Sequence, residues 1–394
     1  MSGRAPIRYN AGMSLPAPSS DALAASHALQ QQIAAEIAQQ SGAIPFSRFM
    51  ELALYAPDLG YYSGGSAKLG KDGDFTTAPE LSSLFGQALA QAAAAIMAQS
   101  APHILEFGAG TGKLARDVLS ELARAGVAVE RYAIVELSGE LRARQQAALR
   151  EFPQVVWLDG FPEQFDGAIL GNEVLDAMPV SLLRKTAAGW RELQVTVRDG
   201  AFAFTEAALS AQLEAELARQ IPEAEALPEG YVSELHGAAT GFMGSLGALL
   251  ARGRGAAILL DYGFPAREYY LAQRDTGTLM CHYRHHAHAD PFYLPGLQDI
   301  TAHVDFTAMA LAAQDAGAEV LAYMSQAAFL LGCGIGDLLL RTDPADAQAY
   351  LPQANALQKL LSPAEMGELF KVLVVGRGVT LPAPLAASDR SHRL

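Results

Sequence analysis

Short, nearly continuous apolar runs recur through the middle of the chain, and stretches of helical period separate them. The runs His103–Phe107, Tyr132–Glu136, Val155–Leu158, Gly167–Gly171 and Ala256–Leu260 have the length of buried strands. Lys113–Ala125 and Glu140–Arg150 read as helices between them. Strand and helix in alternation predict a doubly wound α/β fold around a parallel sheet. Glu319–Tyr323 and Lys371–Val375 are two further strands and complete a seven-stranded sheet. Ser362, Pro363 and Glu365 read as the cap, first-position proline and capping-box acid of a helix before the last strand.

Upstream of the core, residues 21–40, Ile44–Tyr55 (with Ser47 in its cap region) and the alanine-rich stretch Leu81–Ala98 are expected helices. A glycine-rich loop, Gly60–Gly73, carries Tyr61 and Tyr62. Two segments break the alternation. Residues 181–206 follow the strand period, with Arg198-Asp199-Gly200 as a turn, and predict a β-hairpin or meander. Residues 264–305 are rich in His, Tyr, Pro and Gly and lack a period.

Composition narrows the function classes. The 394 residues are 51% hydrophobic and 18% charged, which is globular rather than disordered. A net charge of −14 argues against non-specific binding to nucleic acid or anionic membrane, and leaves room for a basic protein partner. Cys281 and Cys333 are the only cysteines, so a disulfide framework and a four-cysteine zinc site are excluded. No apolar run approaches the roughly 20 residues of a membrane-spanning helix. The first 20 residues lack acids and carry Arg4 and Arg8. Two arginines fall short of an organelle transit peptide, so the segment reads as a disordered tail.

The first core strand ends in Glu106-Phe107-Gly108-Ala109-Gly110-Thr111-Gly112. Glycine there allows a sharp turn and lets a ligand approach the backbone without a Cβ in the way. A second acid, Glu136, ends the next strand and is followed by Leu137. An ionised carboxylate only accepts hydrogen bonds, so Glu136 suits the two hydroxyls of a ribose. Two rival cofactors fit less well. A dinucleotide turn needs glycine where Lys113 stands. A P-loop needs glycine at Phe107 and a hydroxyl at Leu114. A site without a diphosphate cradle favours a nucleoside cofactor free of phosphate, and S-adenosyl-L-methionine is one. Asp159 and Gly160, after the third strand, are placed to meet the adenine edge. The alternative reading of Asp159, a solvated turn acid, stays open.

Ligands of open α/β sheets lie beyond the carboxyl ends of the strands. The fourth strand leads there into Asn172-Glu173-Val174-Leu175-Asp176-Ala177-Met178-Pro179. Asn172 offers a donor and an acceptor, and Glu173 with Asp176 matches the fork of a guanidinium. These three are the candidate catalytic residues. The alternative is an acidic helix start that complements the helix dipole. The histidines at 282, 285, 286, 288 and 303 match no metal-ligand spacing, so no metal is expected.

Specific runs along the chain resemble the MidA-type proteins. They are Gly73-Asp74-Phe75-Thr76-Thr77-Ala78-Pro79-Glu80, Glu106 to Gly112, Asn172 to Pro179, Leu260-Asp261-Tyr262-Gly263, Gly277-Thr278-Leu279, Pro295 to Phe306, and Met366 to Val372. The likeness runs from about Ile44 to Val375 with its order preserved. It implies an α/β, Rossmann-like, seven-stranded class I methyltransferase sheet with a helical N-terminal extension and insertions. It also implies S-adenosyl-L-methionine as cofactor, S-adenosyl-L-homocysteine as product, and contacts at Gly108, Gly110 and Glu136. By the same resemblance, the Thr76-Thr77 loop closes over the cofactor. Mitochondrial members of the family are complex I assembly factors with protein arginine methyltransferase activity, which points to a protein substrate such as a respiratory-complex subunit.

The resulting organisation is a tail (1–20), a helical extension and lid (21–100), a cofactor-binding α/β core (101–180), an insertion of hairpin and helices (181–255), completion of the sheet with the His-rich loop and a helical insertion (256–380), and a second tail (381–394). The expected function is methyl transfer to a protein arginine. Expected cofactor contacts are Thr76, Thr77, Glu106, Gly108, Ala109, Gly110, Gly112, Glu136, Leu137, Asp159, Gly160 and Asn172. A small-molecule acceptor and a non-catalytic assembly role are the alternatives. A bacterial-type cytoplasmic location is expected, with the mitochondrial matrix as the alternative for a eukaryotic source. The alanine-rich helices and the hairpin offer either a homodimer face or a cover for the core.

Overall fold

A computed structural model describes residues 15–64 and 77–394. The main sheet runs in the order Glu319–Ser325, Phe370–Arg377, Gly255–Phe264, Gly167–Asn172, His103–Phe107, Arg131–Val135, Val155–Leu158. Only Phe370–Arg377 runs against the rest. Among the described residues the sheet holds eight strands rather than the expected seven, because the two-residue strand Val304–Asp305 pairs parallel to the end of Gly255–Phe264. That strand is too short to leave a periodic signal.

Each face of the sheet is covered. Helices Ser83–Met97 and Lys113–Arg124 bury Leu84, Phe85, Leu114, Val118 and Leu122 against one face, in one core with Ile104, Tyr132 and Ile258. Helices Gly237–Arg252 and Phe306–Asp315 bury Met243, Leu246, Phe306 and Met309 against Leu105, Ile169 and Leu259 on the other. Gly247 permits the close approach of these two helices: a Cβ there would lie 2.5 Å from the Ala313 carbonyl.

The strand-period segment after residue 180 forms the expected meander: Ser181–Thr186, Gly189–Arg198 and Ala201–Ala208, with Asp199 and Gly200 at positive φ in the turn. It joins Val232–Leu235 and Ile44–Pro45 in a five-stranded antiparallel sheet. The helices Ser20–Gln39 and Phe46–Tyr55 pack on one face of it through Leu29, Ile33, Phe46 and Phe49.

Several local expectations change. Pro45, not Ser47, precedes the helix Phe46–Tyr55, with no side-chain cap. The stretch Leu81–Ala98 breaks at Ser82, whose hydroxyl accepts from the Leu84 amide and starts a new helix. Ser362 ends the helix Ala347–Leu361 instead of starting one; its carbonyl accepts from Glu365 and Gly367 in a turn before the short Met366–Leu369. The aperiodic 264–305 segment holds a three-stranded sheet of Met280–Tyr283, His286–His288 and Asp299–Thr301. Its hairpin turns at Arg284 and His285, both at positive φ, where a glycine signal is missing. The terminal segment expected as a tail is docked: the Arg390 amide donates to the Tyr323 carbonyl, and Leu394 packs on the core.

Candidate active site

The carboxyl ends of the parallel strands, the segment Thr77–Leu81 and the inserted sheet enclose a cavity of about 1110 Å³. Gly108 and Gly110 bend the chain under it, at φ +64 and +53. A Cβ on Gly108 would meet Val174 at 3.2 Å, so the turn and the 173–178 loop touch because the side chain is missing. Ala109, Leu137 and Gly160 also line the space.

Glu106 and Glu136 flank this turn. Glu106 is buried, accepts from the Tyr132 hydroxyl at 2.7 Å, and is pushed up to about 8 by burial. Glu136 accepts from the Ser138 amide at 2.9 Å and from Gln145 at 2.8 Å, and burial raises it above the usual carboxylate range. Gln145 also donates to the Gly110 carbonyl at 3.0 Å and accepts from the Trp157 indole, so one amide locks the turn to Glu136. The site thus offers a glycine cradle and two desolvated acids with neutral partners. A nucleoside sulfonium with a ribose diol and an ammonium group fits that donor set: the diol donates to one acid, and the cation gives the other its missing countercharge.

Two expected contacts lie elsewhere. The Asp159 side chain is 92% exposed and pairs with Arg142 at 2.7 Å, while its neighbour Gly160 lines the cavity. Gly112 lies off the lining. It stands left-handed before the helix Lys113–Arg124, and a Cβ there would face the Gln145 backbone at 3.4 Å. Thr77 lines the cavity, and Thr76 lies outside the described residues.

The loop after the fourth strand brings Asn172, Glu173 and Asp176 to the same space. Glu173 has φ +53, a left-handed conformation that costs a non-glycine residue about 1 kcal/mol or more. Its amide donates to the Leu260 carbonyl at 2.9 Å; its carboxylate accepts from Asn172 at 2.9 Å and from the Ala78 amide. Burial, then the nearby Asp176 charge, pushes Glu173 up to about 7. Burial also raises Asp176, opposed by a hydrogen bond from Tyr262; its Oδ1 has no partner among the described residues.

Residues outside the sequence-based set hold this loop. Asp261 Oδ2 accepts from the amides of Val174, Leu175 and Asp176 at 3.1, 2.9 and 3.3 Å. Tyr55 donates to the Ala177 carbonyl at 3.0 Å and stacks on Tyr62, whose hydroxyl donates to Asp299. Asp261 stands in a recognisable run and Tyr62 in the glycine-rich loop, but neither spacing shows which loop they hold.

Among the described residues, the cavity lining holds eight carboxylates and one cation. That cation, Arg48, is engaged by Glu36 at 2.7 Å and Glu51 at 2.9 Å. Of the histidines in the segment, His303 stacks on Phe264, and the His286 ring bonds the Arg284 carbonyl. No group of three or more potential metal ligands occurs among the described residues.

Residues 84–324 match a family model described as "Putative S-adenosyl-L-methionine-dependent methyltransferase". The chain is similar to a COG1565 superfamily member from Burkholderia thailandensis, solved bound to S-adenosyl-homocysteine. Identity is 54%, coverage is 97% of this chain and 100% of that one, and the TM-score is 0.91. At lower identity it is similar to the mouse "Protein arginine methyltransferase NDUFAF7, mitochondrial": 28% over 375 residues, or 84% of this chain and 80% of that one. The Drosophila melanogaster homolog is 26% identical over 404 residues, 92% and 88% of the two chains.

Proposed function

From the premise that this chain belongs to the S-adenosyl-L-methionine-dependent methyltransferase family, we propose that its methyl acceptor is an arginine side chain of a protein. The observation that carries the reading is the acidity of the cavity: among the described residues, eight acidic side chains against one engaged guanidinium. Such a lining favours cationic occupants. Two relatives named as protein arginine methyltransferases support the same acceptor.

When bound, S-adenosyl-L-methionine supplies a methyl group activated by a positively charged sulfur, and it leaves as S-adenosyl-L-homocysteine. Glu136 would take the ribose hydroxyls and Glu106 the ammonium group, with Gly108, Ala109 and Gly110 admitting the ligand close to the backbone. Leu137, Gly160 and Thr77 would border the cofactor. Glu173 and Asp176 would grip the guanidinium and aim one nitrogen at the methyl carbon. A guanidinium nitrogen that takes up a methyl group must shed a proton, and Glu173 would accept it: a carboxylate raised to about 7 is a stronger base than an exposed one. Asn172 holds Glu173 in place through its amide.

For the compartment, a bacterial-type cytoplasmic location is the reading proposed, with the mitochondrial matrix as the alternative that the relatives named mitochondrial, 26–28% identical, support. A small-molecule amine acceptor is the second reading, favoured by the aromatic and aliphatic wall between the acids, with Phe107, Phe161 and Phe242 in mutual ring contact. Incubation with methyl-labelled cofactor and a lysate, followed by acid hydrolysis and amino-acid analysis, tests the proposal. Label in methylarginine is expected. Label confined to small metabolites would replace the arginine reading with the second one.

A further inference from the structure

The cofactor half of the cavity is built by the core strands, and the opposite wall by the inserted sheet and the helix Ala211–Gln220. Along Gly189–Arg198, alternate residues face opposite ways. Leu193 and Val195 enter the apolar core under the N-terminal helices, whereas Glu192 and Gln194 line the cavity. Glu192 is only 6% exposed. Its side-chain partner is neutral, the Gln194 amide at 2.8 Å, and burial raises it above the usual carboxylate range. Glu216 joins it on the lining from the neighbouring helix, whose Leu213 anchors a separate apolar cluster. A wall that served only to close the cavity would be more stable with apolar residues, since a buried acid without a countercharge is costly. On the same cavity, the buried Oδ1 of Asp176 has no hydrogen-bond partner among the described residues.

We propose that this wall reads a second positive charge on the acceptor: the substrate is a peptide segment with a lysine or arginine close in sequence to the target arginine, and Glu192, with Glu216 on the same lining, receives it. The inference rests on the arginine reading above and deepens it. The target guanidinium lies at Glu173 and Asp176; the second cation lies on the wall that the cofactor does not need.

Short peptides with one central arginine, flanked by lysines or by glutamines, test this with labelled cofactor. Binding of the same peptides is followed by fluorescence anisotropy in the presence of S-adenosyl-L-homocysteine. The wild type is expected to prefer the lysine-flanked peptide by about ten-fold in kcat/KM. Glu192→Gln should erase that preference while the KM for the cofactor moves less than about two-fold, which also reports folding. Glu192→Lys should shift preference toward a glutamate-flanked peptide. Equal use of both peptides by the wild type, or an unchanged preference in Glu192→Gln, overturns the inference and leaves the arginine reading intact. If no peptide is methylated yet the lysine-flanked one binds tighter in a Glu192-dependent way, the wall stands and the arginine reading falls. Absence of both transfer and preferential binding overturns both.

Discussion

Single residues decide the chemistry through burial. Glu173 sits in a left-handed backbone position and is raised by burial to about 7 from an ordinary 4.5. As a base it must be ionised, so kcat/KM should climb with pH through about 7 and then level. A bound cation shifts the limb in kcat to lower pH. Stability runs the other way. The folded state keeps a proton that the unfolded chain has released, so Glu173's contribution is fully present below about 4.5 and is lost as pH rises through 7. Urea melts of the ligand-free protein between those pH values should show falling stability, and Glu173→Gln should flatten part of that slope. The same substitution should lower kcat by about a hundred-fold or more. Its affinity for S-adenosyl-L-homocysteine, measured by calorimetry, should stay within about two-fold. A variant with full activity would remove Glu173 from the proton transfer.

At the scale of elements, the glycine turn and the 173–178 loop form one unit. Gly108 contacts Val174, and Asp261 gathers three amides of that loop from the neighbouring strand. Gly108→Ala would place a methyl 3.2 Å from Val174 in a backbone conformation that disfavours it. A loss of about 1–3 kcal/mol in stability is expected, with at least ten-fold weaker binding of S-adenosyl-L-homocysteine by calorimetry. Unchanged binding would show that the turn does not meet the cofactor. The extension is tied to the same unit: Tyr55 bonds Ala177, and the Tyr62 carbonyl accepts from the Ser138 hydroxyl beside Glu136.

Across the molecule, the cavity lies between a core sheet and an inserted sheet that has its own apolar cores. Ligand binding to the folded state alone stabilises by mass action, about 2.7 kcal/mol at a hundred-fold excess over Kd. S-adenosyl-L-homocysteine should therefore raise Tm, and NAD should not. Hydrogen exchange with and without the ligand should slow at residues 55–62 as well as at 106–112, because the tyrosines bridge the two parts. The helix Ala347–Leu361, which lines no part of the cavity, should not change. Protection confined to the turn would show that the extension is not coupled to the site.

The sequence determined the strands of the core, the glycine turn and the acids that follow it, because apolar period, glycine and strand ends are local properties. His103–Phe107 and Val155–Leu158 begin and end where their apolar runs do. The tertiary structure decided what these residues meet. It turned Asp159 outward to Arg142, set Gly112 behind the cavity, and made Asp261 the anchor of a loop more than eighty positions away. It also brought Glu192, on a strand of the inserted sheet, and Glu173, on the loop after a core strand, to one cavity. Period and spacing specify which face of an element is buried; which distant acid shares that burial depends on how the sheets pack, and burial is what sets the charge and basicity of the site.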